Sequence, residues 1–166
     1  PTIGRTSIET PTGWAGTISL TPTTENPGMV AEGQAWMDQG VKRRIAVNIS
    51  APQFMRPEFV GEVLSLLDAH GVDPELLELE VTERIVMADF AEARRRMDDL
   101  QTAGVRISID DFGTGYSNLS QLSQLSFDML KIDKSLVDGI GASAKSEAIL
   151  TAVIQMAHAL GHTVVA

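Results

Sequence analysis

From residue 44 onward the chain repeats one pattern: a short apolar run rich in β-branched residues, a stretch with helical period, and then a glycine. Few folds accept that pattern. The run from Ile45 to Ser50 reads as a buried strand, and Pro57 opens a helix whose apolar stripe is Phe59, Val60, Val63, Leu64 and Leu67, ending at Gly71. Leu77 to Glu83 reads as the next strand. Asp89 caps a helix with Phe90, Ala93, Met97 and Leu100 inward, Arg94 to Arg96 outward and Gly104 as terminator. Val105 to Ile109 is a strand, Ser117 to Leu125 a short helix, and Asp128 to Ile132 a strand. A long helix follows, with Ile149, Ala152, Val153, Met156, Ala157 and Leu160 inward and Gly161 as its stop, before a last strand from Thr163 to Val165. Strands alternating with helices in this way predict a parallel α/β sheet.

The first 40 residues follow a different rule. Up to about residue 29 they are rich in Thr, Pro and Gly, with short apolar patches such as Thr17 to Leu20 and no sustained period, and they read as loop with one short strand. Met29 to Gln39 fits a helix, with Met29, Val30, Gly33, Trp36 and Met37 on one side and Gly40 as its stop. The expected organisation is therefore an irregular segment over 1–40 and one α/β domain over 41–166.

Charge and composition narrow the function classes. A net charge of −9 argues against a nucleic-acid polymer as partner, since phosphate backbones are drawn to basic surface. It leaves room for a small phosphorylated ligand held through divalent cations. No apolar run approaches a membrane span and no export signal is visible. The absence of cysteine excludes disulfides and thiolate metal sites, and a cytoplasmic protein is expected.

The polar residues that interrupt the strands carry the functional signal. Asn48, Glu80 with Glu83, Asp110 with Asp111, and Lys131 all fall in or just past the C-terminal half of successive strands. In a (β/α)8 barrel those ends share one rim where catalytic groups collect, whereas an open doubly wound sheet gathers ligands at a switch point. The repeated inward polar groups suit the barrel better. Oxygen-only donors of this kind suit Mg²⁺, Mn²⁺ or Ca²⁺ rather than zinc or copper, and adjacent aspartates can serve two ions. Lys131 can orient a water or neutralise a phosphoryl oxygen. In the loop Phe112 to Asn118, Gly113 and Gly115 permit a tight turn, with Thr114 and Ser117 within reach of phosphate.

The run Asp110-Asp-Phe-Gly-Thr-Gly-Tyr-Ser-Asn118 resembles the DDFGTGYSS signature of EAL domains, and so do Val47-Asn-Ile-Ser50, Glu78-Leu-Glu-Val-Thr-Glu83, Lys131-Ile-Asp-Lys-Ser-Leu-Val137 and Ala157 to Ala166. These motifs, in order, cover about three quarters of the chain. The resemblance implies a partial (β/α)8 TIM-like barrel of which strands three to seven are visible. It implies a bacterial signalling domain, a hydrolase that cleaves cyclic di-GMP to linear pGpG with magnesium or manganese. It further implies metal ligation by Asn48, Glu80, Asp110 and Asp111, with Lys131 as the water-positioning lysine and Glu83 as the carboxylate that steadies the glycine loop. Gly113, Thr114, Gly115 and Ser117 are the expected substrate contacts. Homodimers and neighbouring GGDEF or sensor domains are family expectations, and the chain reads as part of a longer domain.

The sequence departs from the pattern in specific places. The Glu-Ala-Leu motif that names the family does not occur in it, nor do the glutamate that usually follows the Val-Val-Ala ending and the last strand. Asn118 stands where a serine is usual. These departures set a catalytically inactive domain, acting as cyclic-di-GMP receptor or protein-interaction module, beside the phosphodiesterase. An enolase-type lyase shares acids and a lysine on barrel strands but has no use for the Asp-Phe-Gly loop. A kinase reading of Asp111-Phe-Gly113 fits less well still, since the sequence has no glycine-rich nucleotide loop, Val-Ala-Ile-Lys strand or His-Arg-Asp loop.

The blander assignments are equally definite. Asp133 and Lys134 are expected as loop ion-pair partners, and Arg94 to Arg96 as a solvated helix face balanced by Asp98 and Asp99. His70, His158 and His162 are expected near helix ends, where a histidine complements the dipole. Trp14, Trp36 and Tyr116 are too few for a base-stacking platform.

Overall fold

The computed structural model describes residues 7–9, 15–17, 44–114, 119–141 and 144–166. The expected helix over 29–39 lies outside them. Among the described residues of the first 40, β1 (Ser7–Glu9) and β2 (Ala15–Thr17) pair antiparallel, two short strands where one is expected. The remaining strands are β3 (Ile45–Ile49), β4 (Leu77–Thr82), β5 (Arg106–Phe112), β6 (Met129–Ile132) and β7 (Thr163–Val165). They form a five-stranded parallel sheet in the order β3-β4-β5-β6-β7, the α/β architecture that the sequence pattern predicts.

The chain divides into two compact units. The first comprises residues 1–80 and 99–106. After β3, Ser50 donates from its backbone N–H and its hydroxyl to Gln53 Oε1 at 3.1 and 2.7 Å, which starts the short helix α1 (Ala51–Phe54). Helix α2 (Phe59–Ala69) buries Phe59, Val63 and Leu67, a stripe one turn apart, and leaves Leu66 open. Phe54 and Phe59 meet edge to face with ring centroids 5.6 Å apart. Asp73 accepts from Glu75 N at 3.1 Å and turns the chain through a short 3₁₀ segment into β4. Glu78, Leu79 and Glu80 of β4 are all buried, as expected of a strand covered on both faces.

The second unit comprises residues 81–98 and 107–166. It holds α3 (Glu83–Ala88), α5 (Leu119–Leu122), α6 (Lys134–Val137), α7 (Ala144–Ala159) and the start of α4 (Phe90–Thr102). Asp89 accepts from Glu92 N at 3.2 Å, so the expected cap of α4 is present. Asp128 fastens three strands: its N–H donates to Ile107 O, its carboxylate accepts from Ile107 N at 3.0 Å, and its carbonyl accepts from Thr163 N.

Two helix faces differ from expectation. Arg96 is 3% exposed, with Nε 2.7 Å from Glu92 Oε1, while Arg95 pairs with the same carboxylate. Arg94, paired with Asp98, and Arg95 both stay exposed as expected, and only Arg96 of the triplet turns inward. Two guanidinium groups on one carboxylate hold Glu92 well below the usual range, at about 2. In α7 the buried residues are Leu150, Val153 and Ala157, whereas Ile149 and Leu160 are 44% and 40% exposed. Val153 and Ala157 are inward as expected, and Leu150 takes the place expected of Ile149.

Lys134 forms an ion pair with Asp138, and Asp133 accepts from Ser135 N at 2.8 Å to cap α6. His70 keeps the expected helix-end place, its Nδ1 2.9 Å from Leu66 O. His162 instead stacks on Phe127 at 3.7 Å, and desolvation pushes its pKa below the ordinary value. Because the folded pKa is lowered, protonation favours the unfolded chain, and stability falls as pH drops below about 6.5. His162→Phe keeps the stack and removes the titration. Its melting temperature should therefore change less between pH 7 and pH 5 than that of the unsubstituted protein, as thermal melts at each pH would read.

Candidate active site

The strand register at the end of β5 builds the central feature. Ser108 pairs with Met129 and Ile109 with Leu130, but the next pairing is Phe112 with Ile132. Two residues, Asp110 and Asp111, therefore stand opposite the single residue Lys131. This is a β-bulge, and such irregularities re-aim side chains where a strand approaches a functional site. Asp111 takes a positive φ of 54°, the only non-glycine among the described residues to do so. Aspartate tolerates that conformation better than a branched residue would, yet it remains sparsely populated.

Electrostatics match the geometry. Partial desolvation, then the charges of Asp110 and Asp133, push the Asp111 carboxyl above its ordinary pKa. Like charges crowd here, an arrangement that a divalent cation relieves.

The loop after the bulge is held at three points. Gly113 N donates to Glu83 Oε2 at 2.8 Å, a bond reaching across thirty residues to the first residue of α3, where the glutamate is 1% exposed. Thr114 Oγ1 donates to the Asp111 carbonyl at 3.0 Å. Leu136 of α6 packs so closely on Gly113 that an added Cβ would lie 2.0 Å from its Cδ1. Sequence reasoning picked out Gly113 and Glu83 but missed Leu136, Asp128 and the bulge itself. A doubled Asp before Phe-Gly was the available signal for the bulge.

Asn48 is the fourth residue of β3 and half-buried, and Glu80 is the fourth of β4 and 7% exposed. Gly115 and Ser117 lie outside the described residues. Among the described residues no three or more His, Asp or Glu side chains are gathered into a ready metal cage. The donors nevertheless fit a hard cation in kind, since every one is an oxygen and the charges of Asp110 and Asp133 crowd Asp111. No helix among the described residues is long and apolar enough to cross a membrane.

Comparison with known proteins converges on one family. The family model of the EAL domain matches residues 29–166. The signaling protein YkoW of Bacillus subtilis is 41% identical over 135 residues, which cover 81% of this chain and 17% of that protein. The MucR phosphodiesterase of Pseudomonas aeruginosa, solved in a c-di-GMP complex, superposes with a TM-score of 0.72 at 35% identity, covering 81% of this chain and 59% of that one. BlrP1 of Klebsiella pneumoniae, solved with manganese and cyclic di-GMP, gives a TM-score of 0.68 at 35% identity over 81% of this chain and 34% of that one. The chain thus spans less than a fifth of the length of YkoW.

Proposed function

The chain belongs to the EAL domain family, and on that premise we propose that it serves the metal-dependent hydrolysis of cyclic di-GMP to linear pGpG in bacterial signalling. The observation that carries this reading is the bulge that sets Asp110 and Asp111 against Lys131. An acidic pair facing a cation suits a phosphodiester, which is itself anionic, only if divalent ions stand between the negative groups. Asn48, Glu80, Asp110 and Asp111 are the residues that would hold Mg²⁺ or Mn²⁺, and the ions would supply charge neutralisation and an activated water.

The chain's own groups do the rest. Lys131 holds the attacking water or meets a negative phosphoryl oxygen. The water oxygen joins phosphorus, the 3′ oxygen leaves and takes up a proton, and the ring opens to a linear dinucleotide. Glu83 keeps the Gly113–Thr114 turn in place through the Gly113 N–H, and Gly113, Thr114, Gly115 and Ser117 are the groups that would contact the substrate. A cytoplasmic location, a homodimer and an adjacent GGDEF or sensor domain belong to the same proposal, as does the division into a segment over 1–40 and a domain over 41–166.

One sequence fact favours a second reading. The Glu-Ala-Leu motif is absent from these residues, and a receptor that binds cyclic di-GMP without cleaving it would not need it. The full-length protein incubated with Mn²⁺ and cyclic di-GMP, followed by chromatography of the nucleotides, separates the two. Linear pGpG is the expected product. Binding with no turnover would replace the hydrolase by the receptor, and failure to bind would remove both.

A further inference from the structure

The segments that leave β5 and β6 are fastened to each other just beyond their charged residues. Lys131 is followed by Ile132, the end of β6, and the next residue, Asp133, donates its N–H to Phe112 O at 3.0 Å. Three residues later Leu136 of α6 covers Gly113, and the three atoms that a Cβ on this glycine would meet first all belong to that leucine. The same glycine donates its N–H to Glu83 Oε2 at 2.8 Å. Gly113 is thus gripped by a carboxylate from α3 and a leucine from α6. Leu136 is half-buried and stands apart from the sealed core. The grip has a physical motive. Asp111 at φ 54° and Gly113 at φ 104° put two left-handed residues within three positions. A non-glycine residue in that region costs free energy and persists only where its surroundings hold it.

We propose that Leu136 is a positioning residue for the reaction: by pressing on Gly113 it holds the Asp110–Asp111 bulge at its working distance from Lys131. The connectivity makes the leucine effective. Asp110 and Asp111 lie two or three residues before Gly113, and Lys131 lies five before Leu136. The Asp133–Phe112 hydrogen bond and the Leu136–Gly113 contact therefore join the two strands directly past the groups whose spacing matters. Glu83 fixes the glycine amide, and Leu136 keeps the backbone from lifting away from α6. The effect on catalysis rests on the phosphodiesterase reading, whereas the hold on the loop does not.

The test has two arms, both on the full-length protein well below its melting temperature. With Mn²⁺ and cyclic di-GMP, Leu136→Ala should lower kcat by up to about a hundredfold, the scale of a misplacement of ~1 Å, and leave KM nearly unchanged. In the second arm, amide exchange is followed residue by residue by nuclear magnetic resonance, without metal or nucleotide. The Gly113 amide should exchange about tenfold faster in Leu136→Ala, while Ile109 and Leu130 in the strands keep their protection. Leu136→Met, of similar volume, should restore both readings. A leucine that only fills space would lower the melting temperature and move neither kcat nor the Gly113 amide, and that result overturns the proposal. So does a Leu136→Met variant as impaired as Leu136→Ala. Should Leu136→Ala fail to fold, Leu136→Val shortens the contact and is read in the same way. If the unsubstituted protein does not turn over cyclic di-GMP, the phosphodiesterase reading fails, and the Gly113 amide alone decides whether Leu136 holds the loop.

Discussion

Asp111→Asn should raise the melting temperature at neutral pH by about 1–3 °C while lowering turnover of cyclic di-GMP by about a thousand-fold. The two effects share one cause. The Asp111 carboxyl is pushed above its ordinary pKa by partial desolvation and by the charges of Asp110 and Asp133. A carboxyl whose folded pKa is raised binds its proton more tightly in the folded state, so stability falls as pH rises through the window above 3.8. At neutral pH the whole deficit is present. Asparagine removes the charge and accepts the left-handed backbone at φ 54° at least as well. The stabilisation is small because the group is exposed and its repulsions are screened by solvent.

The loss of turnover is large because an amide cannot replace an anionic oxygen in holding and polarising a divalent ion. Several kcal/mol of transition-state stabilisation correspond to about three powers of ten in rate. Thermal melts in metal-free buffer check the first half, and they should show the gain vanishing below about pH 4, where both states are protonated. A variant that keeps full turnover would remove Asp111 from the catalytic proposal, and one that melts lower at neutral pH would refute the charge-crowding account.

The same residue shows where sequence reading reaches and where it stops. The strands and the polar interruptions at their ends were legible because strand alternation and glycine stops are local signals. Asp110 and Asp111 could be picked out as a pair for that reason. The bulge that sets both opposite Lys131 in the ladder was not legible, since it is a property of pairing between two strands rather than of either one. Helix α7 teaches the same lesson on the packing side. Both Ile149 and Leu150 are apolar, and only the tertiary partner decides that Leu150 goes inward while Ile149 stays open. Arg96 was read as solvent-facing because arginine usually is. Its burial depends on Glu92, four residues earlier, reaching back to neutralise it.

Gly113→Ala should destabilise the protein by about 2–4 kcal/mol. Two separate penalties contribute. The backbone at Gly113 has φ +104°, which an alanine adopts only with strain. Its Cβ would also stand 2.0 Å from Leu136 Cδ1 and 2.7 Å from Leu136 Cγ, so the leucine side chain would have to shift. The penalties separate in a double variant. Leu136→Ala removes the overlap but leaves the strained φ, so Gly113→Ala with Leu136→Ala should be less unstable than the sum of the two single changes. Chemical denaturation of the three variants measures that coupling. A sum that is simply additive would mean that Leu136 does not press on the glycine, and the tie between α6 and the loop would have to be abandoned. Glu83→Gln supplies the complementary control. It retains an oxygen that can accept the Gly113 N–H but loses the charge, so it should weaken the loop far less than Gly113→Ala does.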